Sequence, residues 1–426
     1  MKAQELIKVI SKGELNCKLE ELYGKENVAS QAIRYTKAIN EFISTYGDLD
    51  CSIFSVPGRS ELSGNHTDHN HGEVLAGSIN LDIIAIASKT NDSVIRIKSE
   101  GFPEDVVDAA IYTEPQESDF FKSSALIAGM AKAFANDGYQ VGGYCAYTTS
   151  NVFKGSGLSS SAAFEVMVGN ILNYLYNEGK VDNVEIAKMA QYSENVFFGK
   201  PCGLMDQMAC AVGGFVHIDF EDTKNPIIDK IDFDMSGAGF ALCIVNTGGN
   251  HADLNEDYAS VPAEMKSVAK FLGCEHLRQT CLGEVMVNVK ALREAVGDRA
   301  ILRAYHFFNE NDRVRAQASA LKDKDVEAFL AYVIKSGNSS FKFLQNVYTT
   351  KNVSEQGLSL ALAITESLLC DTGAAWRVHG GGFAGTIQAF VPFEQVEAYK
   401  EEIDSAFGEG ACHILRIRPL GAIKVL

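Results

Sequence analysis

The chain has 426 residues, of which 46% are hydrophobic and 22% are charged, and its formal net charge is -17. The length is sufficient for two packed domains, and this composition excludes disorder as the main state. The acidic balance excludes a surface that wraps nucleic acid, because such a surface must be basic.

The cysteines and the apolar runs indicate the compartment. Ten cysteines occur without a C-x-x-C pair, which argues against a zinc ribbon and against a disulfide framework. The N-terminal segment has no apolar signal-peptide core, and no apolar run reaches the roughly 18 residues that a membrane span needs. We therefore expect a cytoplasmic monomer that binds neither membranes nor nucleic acid.

The predicted elements begin with helices over the first 50 residues, where apolar positions recur every three or four residues. A strand is predicted in "CSIFSVPG", ending at Pro57-Gly58, and a second in "SINLDIIAIASK". A helix in "SALIAGMAKAFAND" and a strand in "GGYCAYTTS" follow.

The second half of the pattern opens with "GSGLSSSAAF", a small-residue loop that leads directly into a helix, and "NVEIAKMAQYSENVFFG" predicts the next helix. Strands are predicted in "GFVHIDF" and "GFALCIVNT", mainly helices from about 254 to 370, and a Gly-rich loop joined to a strand in "AAWRVHGGGFAGTIQAFVP". The absence of regular β-α-β alternation favours an α+β fold. We place the domain boundary near 215, giving domains 1–215 and 216–426.

Two Gly-rich loops are candidates for phosphate binding. In "KGSGLSSSA", small residues allow backbone N–H groups to approach an anion, and the following helix adds its positive N-terminal end. A linker with a helix cap is the alternative. "RVHGGGFAGT" is the second loop, which is either a tight turn or the other side of the same site. The chain contains no P-loop motif.

Asp206 lies in the mostly apolar run "CGLMDQMACAVGG". A carboxylate in such a run is either buried in a structural ion pair or catalytic. Glu194 precedes it by twelve residues and is a candidate metal ligand.

The stretch "NHTDHNHG" holds three of the nine histidines. Three interpretations are open: a metal site, a solvated turn, or a row of donors and acceptors for a sugar. Histidines at i, i+3 and i+5 lack a partner segment with further ligands, and a row of short polar side chains suits a sugar with several hydroxyls.

Together these stretches resemble the GHMP small-molecule kinases, and specifically the galactokinases. Their sugar motif corresponds to "PGRSELSGNHTDHNHGEVLA", their second motif to "GSGLSSSA", their acidic motif to "CGLMDQ" and their third motif to "GGGFAG". The resemblance implies a two-lobed fold with a mixed N-terminal lobe, a ferredoxin-like C-terminal lobe and a cleft between them. It also implies ATP-dependent phosphorylation of a sugar at C1, with Mg²⁺, most simply D-galactose to galactose 1-phosphate.

The resemblance assigns roles to residues that match the motifs. Asp206 and Arg59 would be catalytic, and Ser161 and Glu194 would hold Mg²⁺. The sugar-binding residues would be Asn65, His66, Asp68, Gly203 and Tyr258. The ATP phosphates would be held by Gly155, Ser156, Gly157, Leu158, Ser159, Ser160 and Ser161. His69 and His71 receive no role.

The sugar motif also departs from the galactokinase pattern. Asn65 replaces a glutamate that accepts a hydrogen bond from the sugar's C6 hydroxyl, Glu61 replaces the usual Asn, and Ser63 replaces an apolar residue. Asn250 stands where many relatives have Arg. An amide at position 65 either preserves the hydrogen bond or tolerates a C6 carboxylate, so D-galacturonate or another related sugar is the alternative substrate.

A sugar sensor without catalysis is the alternative class of function. In the known sensor the Ser-Ala pair of the second motif is lost. Here Ser161-Ala162, Arg59 and Asp206 are all present, which favours an enzyme. Other GHMP kinases, such as mevalonate or homoserine kinase, lack the "GNHTDHN"-type segment.

Overall fold

The structure is a computed structural model, and it describes residues 1–112, 114–153, 157–249 and 254–426. Its helices are α1 Ala3–Ser11, α2 Asn16–Tyr23, α3 Val28–Tyr46, α4 Ser123–Asn136, α5 Ser160–Tyr176, α6 Asn183–Tyr192, α7 Met205–Val212, α8 Asn255–Phe271, α9 Leu282–Val287, α10 Val289–Val296, α11 Asp298–Lys322, α12 Val326–Ser339, α13 Gly357–Leu369 and α14 Val396–Phe407. Its strands are β1 Ser52–Ser63, β2 Glu73–Lys89, β3 Val94–Ser99, β4 Glu104–Asp108, β5 Tyr144–Ser150, β6 Phe215–Asp219, β7 Ile227–Ile231, β8 Phe240–Asn246, β9 Ala375–Val378, β10 Thr386–Pro392, β11 Cys412–Leu415 and β12 Ile423–Lys424.

The strands form two sheets. The larger has the order β12-β1-β2-β5-β3-β4, and β6 and β7 continue it from β2. Only the pairing of β3 with β5 is parallel among its described pairs. The smaller sheet is antiparallel, with the order β11-β8-β10-β9.

The larger sheet is covered on both faces. Helices α1 to α3 bury apolar side chains such as Leu6 and Phe42 against Ile53 and Ile84 of the sheet. Helices α4 to α7 contribute to a separate core with the sheet that includes Met130, Val166 and Met208. Helix α3 buries one stripe, Tyr35, Ala38, Ile39 and Phe42, at the spacing that the sequence periodicity predicts, whereas α5 is buried over most of its length. No helix in the described ranges is long and apolar enough to cross a membrane.

One predicted boundary is wrong. Strand β1 does not end at Pro57-Gly58 but runs to Ser63. Its pairing with β2 shifts register between Pro57 and Arg59 and again between Glu61 and Ser63. These bulges accommodate the proline, which cannot donate to a regular ladder, and carry the strand into the sugar motif.

The larger sheet includes strands from both sides of residue 215. β6 pairs with β2 from Glu73 to Gly77, and β12 pairs with β1 at Phe54 and Ser55. The domain boundary near 215 and the ferredoxin-like description of the C-terminal lobe stay predictions.

Candidate active site

Arg59 and Asp206 form the charged pair at the centre of the site. Arg59 projects from β1 and Asp206 from the first turn of α7. Arg59 Nε donates to Asp206 Oδ1 at 2.8 Å, and its Nη2 lies 2.7 Å from the same oxygen. Burial of Arg59 disfavours its charged form, but the Asp206 carboxylate outweighs this and raises the pKa of Arg59. Arg59 therefore keeps its positive charge, and the Asp206 carboxylate beside it is one-third exposed.

The second motif reaches the same pair. Ser159 Oγ donates to Asp206 Oδ2, and Arg59 Nη1 donates to the carbonyl of Gly157. Ser159 has a left-handed backbone, with φ of 57°, and directly precedes α5. Its hydroxyl therefore binds the Asp206 carboxylate, while the N-terminal turn of a 17-residue helix starts beside it.

Gly58 permits the close approach of these two segments. A Cβ at Gly58 would lie 2.8 Å from the carbonyl oxygen of Leu158, which is too close for any other residue. The backbone N–H of Arg59 donates to that same oxygen at 3.2 Å. The glycine before Arg59 thus lets the second motif pack directly on β1.

The start of α5 also borders a large cavity. Ser160 and Ser161 line it together with Ile83, Glu100 and Phe102, and its volume is about 740 Å³. Gly155 and Ser156, the other residues predicted to bind phosphate, lie outside the described residues.

His66 is held as a neutral ring on the sugar motif. Its Nε2 lies 2.9 Å from the carbonyl oxygen of Gly381, so this nitrogen carries the proton. Burial lowers the pKa of His66 to about 4. The other nitrogen, Nδ1, is buried and has no partner among the described residues. It is an acceptor suited to a hydroxyl group.

Asp68 and Gly203 are neighbours, as their shared assignment requires. A Cβ at Gly203 would lie 2.8 Å from Asp68 Oδ2, so any larger residue at position 203 would have to displace this carboxylate. Both residues line a cavity of about 300 Å³ with His69 and Cys202.

Tyr258 lies on α8 and reaches the third motif. Its hydroxyl donates to the carbonyl of Gly382 at 2.9 Å, and its ring packs edge-on against Phe383. Burial and the nearby Asp257 raise the pKa of Tyr258 to about 12. The tyrosine therefore stays neutral at physiological pH.

Asn65 differs from the other sugar-motif residues because its side chain is saturated by protein groups. Its Nδ2 donates to Glu61 Oε1 and to the carbonyl of Gly380, at 2.9 and 2.6 Å. Its Oδ1 accepts from Asn346 and Ser340, at 2.7 and 3.4 Å. The prediction that Asn65 contacts the sugar therefore requires one of these bonds to break.

Glu194 lies in a buried group of charged and amide side chains. It occupies the π-helical turn Ser193–Phe197, 3.0 Å from Lys200 Nζ, and it accepts from Gln207 Nε2 at 2.7 Å. Glu165 also accepts from Gln207, and its second oxygen is buried without a partner in the described chain. Burial and the Glu194 charge raise the pKa of Glu165 well above its usual range. A cation bound here would offset the repulsion between these two neighbouring carboxyl groups.

Sequence reasoning missed three residues of the site. His379 is buried between the Gly-rich loops, and its Nε2 has no described partner. Burial, with Arg59 and Arg377 nearby, lowers the pKa of His379 to about 3. Glu165 could have been found because it lies four residues after Ser161 on the same helix. Lys200 carries no pattern that sets it apart.

The other two histidines of the "NHTDHNHG" stretch contact groups other than Arg59 and Asp206. His71 stacks on His276, with ring centroids 3.7 Å apart. His69 is 48% exposed and lies 3.6 Å from Asp68. Across the described ranges no three His, Cys, Asp or Glu side chains gather as a potential metal site.

Two protein-family models match the chain. Residues 124–214 match the N-terminal domain of GHMP kinases, and residues 40–89 match the galactokinase galactose-binding signature. The fold gives the same class. The chain superposes on a mevalonate kinase with a TM-score of 0.61 at 15% identity, covering 86% of this chain and 98% of that one. The protein is thus a GHMP kinase by fold, and the predicted α+β class is confirmed.

Comparison with individual relatives shows which family of GHMP kinases the chain resembles. The chain is 30% identical over 363 residues to a galactokinase of Actinobacillus pleuropneumoniae, covering 84% of this chain and 90% of the relative. It is 28% identical to a galactokinase of Streptomyces coelicolor, covering 88% and 94%. A galactokinase of Lactococcus lactis, solved with galactose, superposes with a TM-score of 0.74 at 23% identity over 90% of this chain and 98% of that one. The chain belongs to the galactokinase family, which confirms the resemblance drawn from the motifs.

Proposed function

We propose that the protein transfers the γ-phosphoryl group of ATP to the C1 hydroxyl of D-galactose. The observation that carries this proposal is the Arg59–Asp206 pair, held at 2.7 Å beside the N-terminus of α5. The relatives of the chain are galactokinases, and the solved neighbour from Lactococcus lactis contains galactose. The enzyme would work in the cytoplasm, which fits ten cysteines that are all unpaired.

The residues divide the reaction between them. The sugar hydroxyl oxygen attacks the γ-phosphorus, the bond from that phosphorus to the β–γ bridging oxygen breaks, and ADP leaves. The hydroxyl proton is released to Asp206 or to a phosphate oxygen as the new O–P bond forms. Asp206 orients the attacking hydroxyl and accepts its hydrogen bond, while Arg59 offsets the negative charge. Because phosphoryl transfer depends mostly on positioning and charge stabilisation, this pair is sufficient protein chemistry. His66 Nδ1, Asp68 and the Gly203 backbone would bind other sugar hydroxyls.

Ser161 and Glu194 would hold Mg²⁺. The ion neutralises phosphate charge when bound, and it characteristically uses one or two protein carboxylates together with nucleotide oxygens. The buried, unpartnered oxygen of Glu165 beside Glu194 supports a cation at this place. Lys200 pairs with Glu194, so a bound cation would compete with its ammonium group. The 740 Å³ cavity beside Ser160 and Ser161 would take the rest of the nucleotide.

Galacturonate has less support than galactose. Asn65 removes the negative charge that the motif's glutamate would carry at position 65. However, Glu61 supplies a carboxylate whose Oε1 lies 2.9 Å from the Asn65 amide nitrogen. A carboxylate on the sugar would meet this negative charge. The sensor function has less support as well, since Ser159, Arg59 and Asp206 form a connected catalytic group.

The test is ADP release from Mg-ATP with galactose, galacturonate, glucose, N-acetylgalactosamine or arabinose. We expect the highest kcat/KM with galactose and a loss of at least about 100-fold in kcat in Asp206→Ala, because that variant loses the orienting carboxylate. Turnover confined to another sugar would show that this sugar, and not galactose, is the substrate. Binding of ATP and galactose without turnover would contradict the enzyme and favour the sensor.

A further inference from the structure

Positions 61 and 65 have exchanged their residues relative to the galactokinase motif. The motif has Asn at the first position and Glu at the second, whereas this chain has Glu61 and Asn65. In the structure the two side chains touch, because Asn65 Nδ2 donates to Glu61 Oε1 at 2.9 Å. The exchange therefore preserves one amide and one carboxylate in a single hydrogen-bonded pair.

The Asn65 amide has no capacity left for a substrate. An amide side chain has two N–H donors and two acceptor lone pairs. The contacts to Glu61, Gly380, Asn346 and Ser340 use all four. The side chain is also 1% exposed. Asn65 thus links β1 to residues 340–380 of the C-terminal half through side-chain hydrogen bonds.

Glu61, unlike Asn65, has a side-chain oxygen that is free to accept a hydrogen bond from a ligand. Its Oε1 accepts from Asn65 and lies 3.8 Å from an Arg377 nitrogen. Its Oε2 makes no hydrogen bond to any part of the chain that the structure describes, although the residue is only 8% exposed. Burial raises the pKa of Glu61, although Arg377 and the hydrogen bond from Asn65 favour its charged form. This oxygen is not fully enclosed, since the Glu61 side chain keeps 10% of its exposure, so a sugar hydroxyl can reach it and donate to it.

We propose that Glu61, not Asn65, accepts a hydrogen bond from the C6 hydroxyl of the sugar. This specificity role rests on the proposed galactokinase function. The site keeps the negative charge of the galactokinase motif but holds it on the other residue of the pair. It consequently selects a neutral C6 hydroxyl and disfavours a C6 carboxylate.

The test compares wild type with Glu61→Asn, Asn65→Glu and the double exchange. The substrates are galactose, 6-deoxygalactose and galacturonate, measured by kcat/KM. In Glu61→Asn we expect the preference for galactose over 6-deoxygalactose to fall by about 10-fold or more, since a charged hydrogen bond is lost. The same variant removes the charge, so its ratio of galacturonate to galactose should rise. The double exchange should restore the galactose preference, whereas Asn65→Glu alone sets two carboxylates side by side and should lower the thermal midpoint.

Controls separate the possible failures. Glu409→Asn makes the same substitution at an exposed position and should leave both ratios unchanged. Glu61→Gln keeps the length of the side chain and gives the same comparison if Glu61→Asn does not fold. If wild type turns over no galactose, the proposed function fails. If it turns over galactose and neither variant changes the discrimination against 6-deoxygalactose, Glu61 is only structural and the inference is overturned.

Discussion

Arg59 makes three polar contacts that a lysine could not reproduce. Its guanidinium holds Asp206 through two nitrogens and the Gly157 carbonyl through the third. A lysine has a single ammonium group and no planar fork. We expect Arg59→Lys to lower kcat by about 100-fold while the KM for galactose changes only a few-fold, because misplaced catalytic groups slow the chemical step. Steady-state kinetics on both substrates measure this.

The matched control for that change is Arg299→Lys. Arg299 also pairs with a carboxylate, Glu264, but it is 45% exposed and lies outside the proposed site. Its kcat should stay within about two-fold of wild type, as for most exposed pairs. Full activity of Arg59→Lys would show that the fork geometry is unimportant.

Sequence motifs assign roles to individual residues, but they do not report which residues contact one another. Arg59 and Asp206 are assigned from motif matches, and the structure joins them directly. The saturation of Asn65 was not predictable, because Ser340 and Asn346 approach it from the distant end of α12 and the turn that follows. No spacing or periodicity in the sequence reports such a long-range hydrogen bond.

Helix α3 is joined to the larger sheet through the buried carboxylate of Asp82. Arg34 Nη1 lies 2.6 Å from Asp82, Arg418 Nη1 lies 3.2 Å away, and Tyr23 donates to it at 2.5 Å. Burial opposes the charge of Asp82, but the two arginines outweigh this and lower its pKa. This one residue ties the N-terminal helices, β2 and the C-terminal segment together.

Asp82→Asn should therefore be strongly destabilising. Two arginines would lose their counter-charge in a buried place, a change that typically costs about 3–5 kcal/mol. Urea unfolding followed by circular dichroism measures the free energy of unfolding. Asp50→Asn is the control, because Asp50 is 71% exposed and its ion pairs within the described ranges are with the N-terminus and Lys2. An equal, small loss in both variants would contradict a structural role for the cluster.

Helices and strands could be predicted from the sequence where the apolar residues follow a single periodicity. Helices over the first 50 residues and from about 254 to 370 are confirmed, since their apolar residues recur at helical spacing. The end of β1 was wrong because Pro57-Gly58 is also a common turn signal. Only the pairing with β2, which supplies the bulges around Arg59, allows the strand to continue.

At the scale of the whole molecule, neutral histidines join the sugar motif to the C-terminal half. His66 contacts the Gly381 carbonyl, and His306 contacts the Asn65 carbonyl, both at 2.9 Å. His379 pairs with Thr386 beside the second motif. Burial lowers the pKa of His66 and His306 to about 4 and that of His379 to about 3. The contact between the two halves therefore depends on uncharged imidazoles.

Acid should weaken this contact before most carboxylates are protonated. Between the ordinary histidine pKa of about 6.5 and the folded values, the unfolded chain binds more protons, so the free energy of unfolding falls as pH decreases. The contribution of these histidines to the free energy of unfolding is fully retained above about pH 6.5 and should drop progressively toward pH 4. His306→Gln keeps polar contacts without titrating, and it should reduce the slope by up to about 1.4 kcal/mol per pH unit. Urea unfolding at pH 7, 6 and 5 measures the slope, and His69→Gln, at a residue that is 48% exposed, is the control. An unchanged slope in His306→Gln would show that the buried His306 is not a source of acid sensitivity.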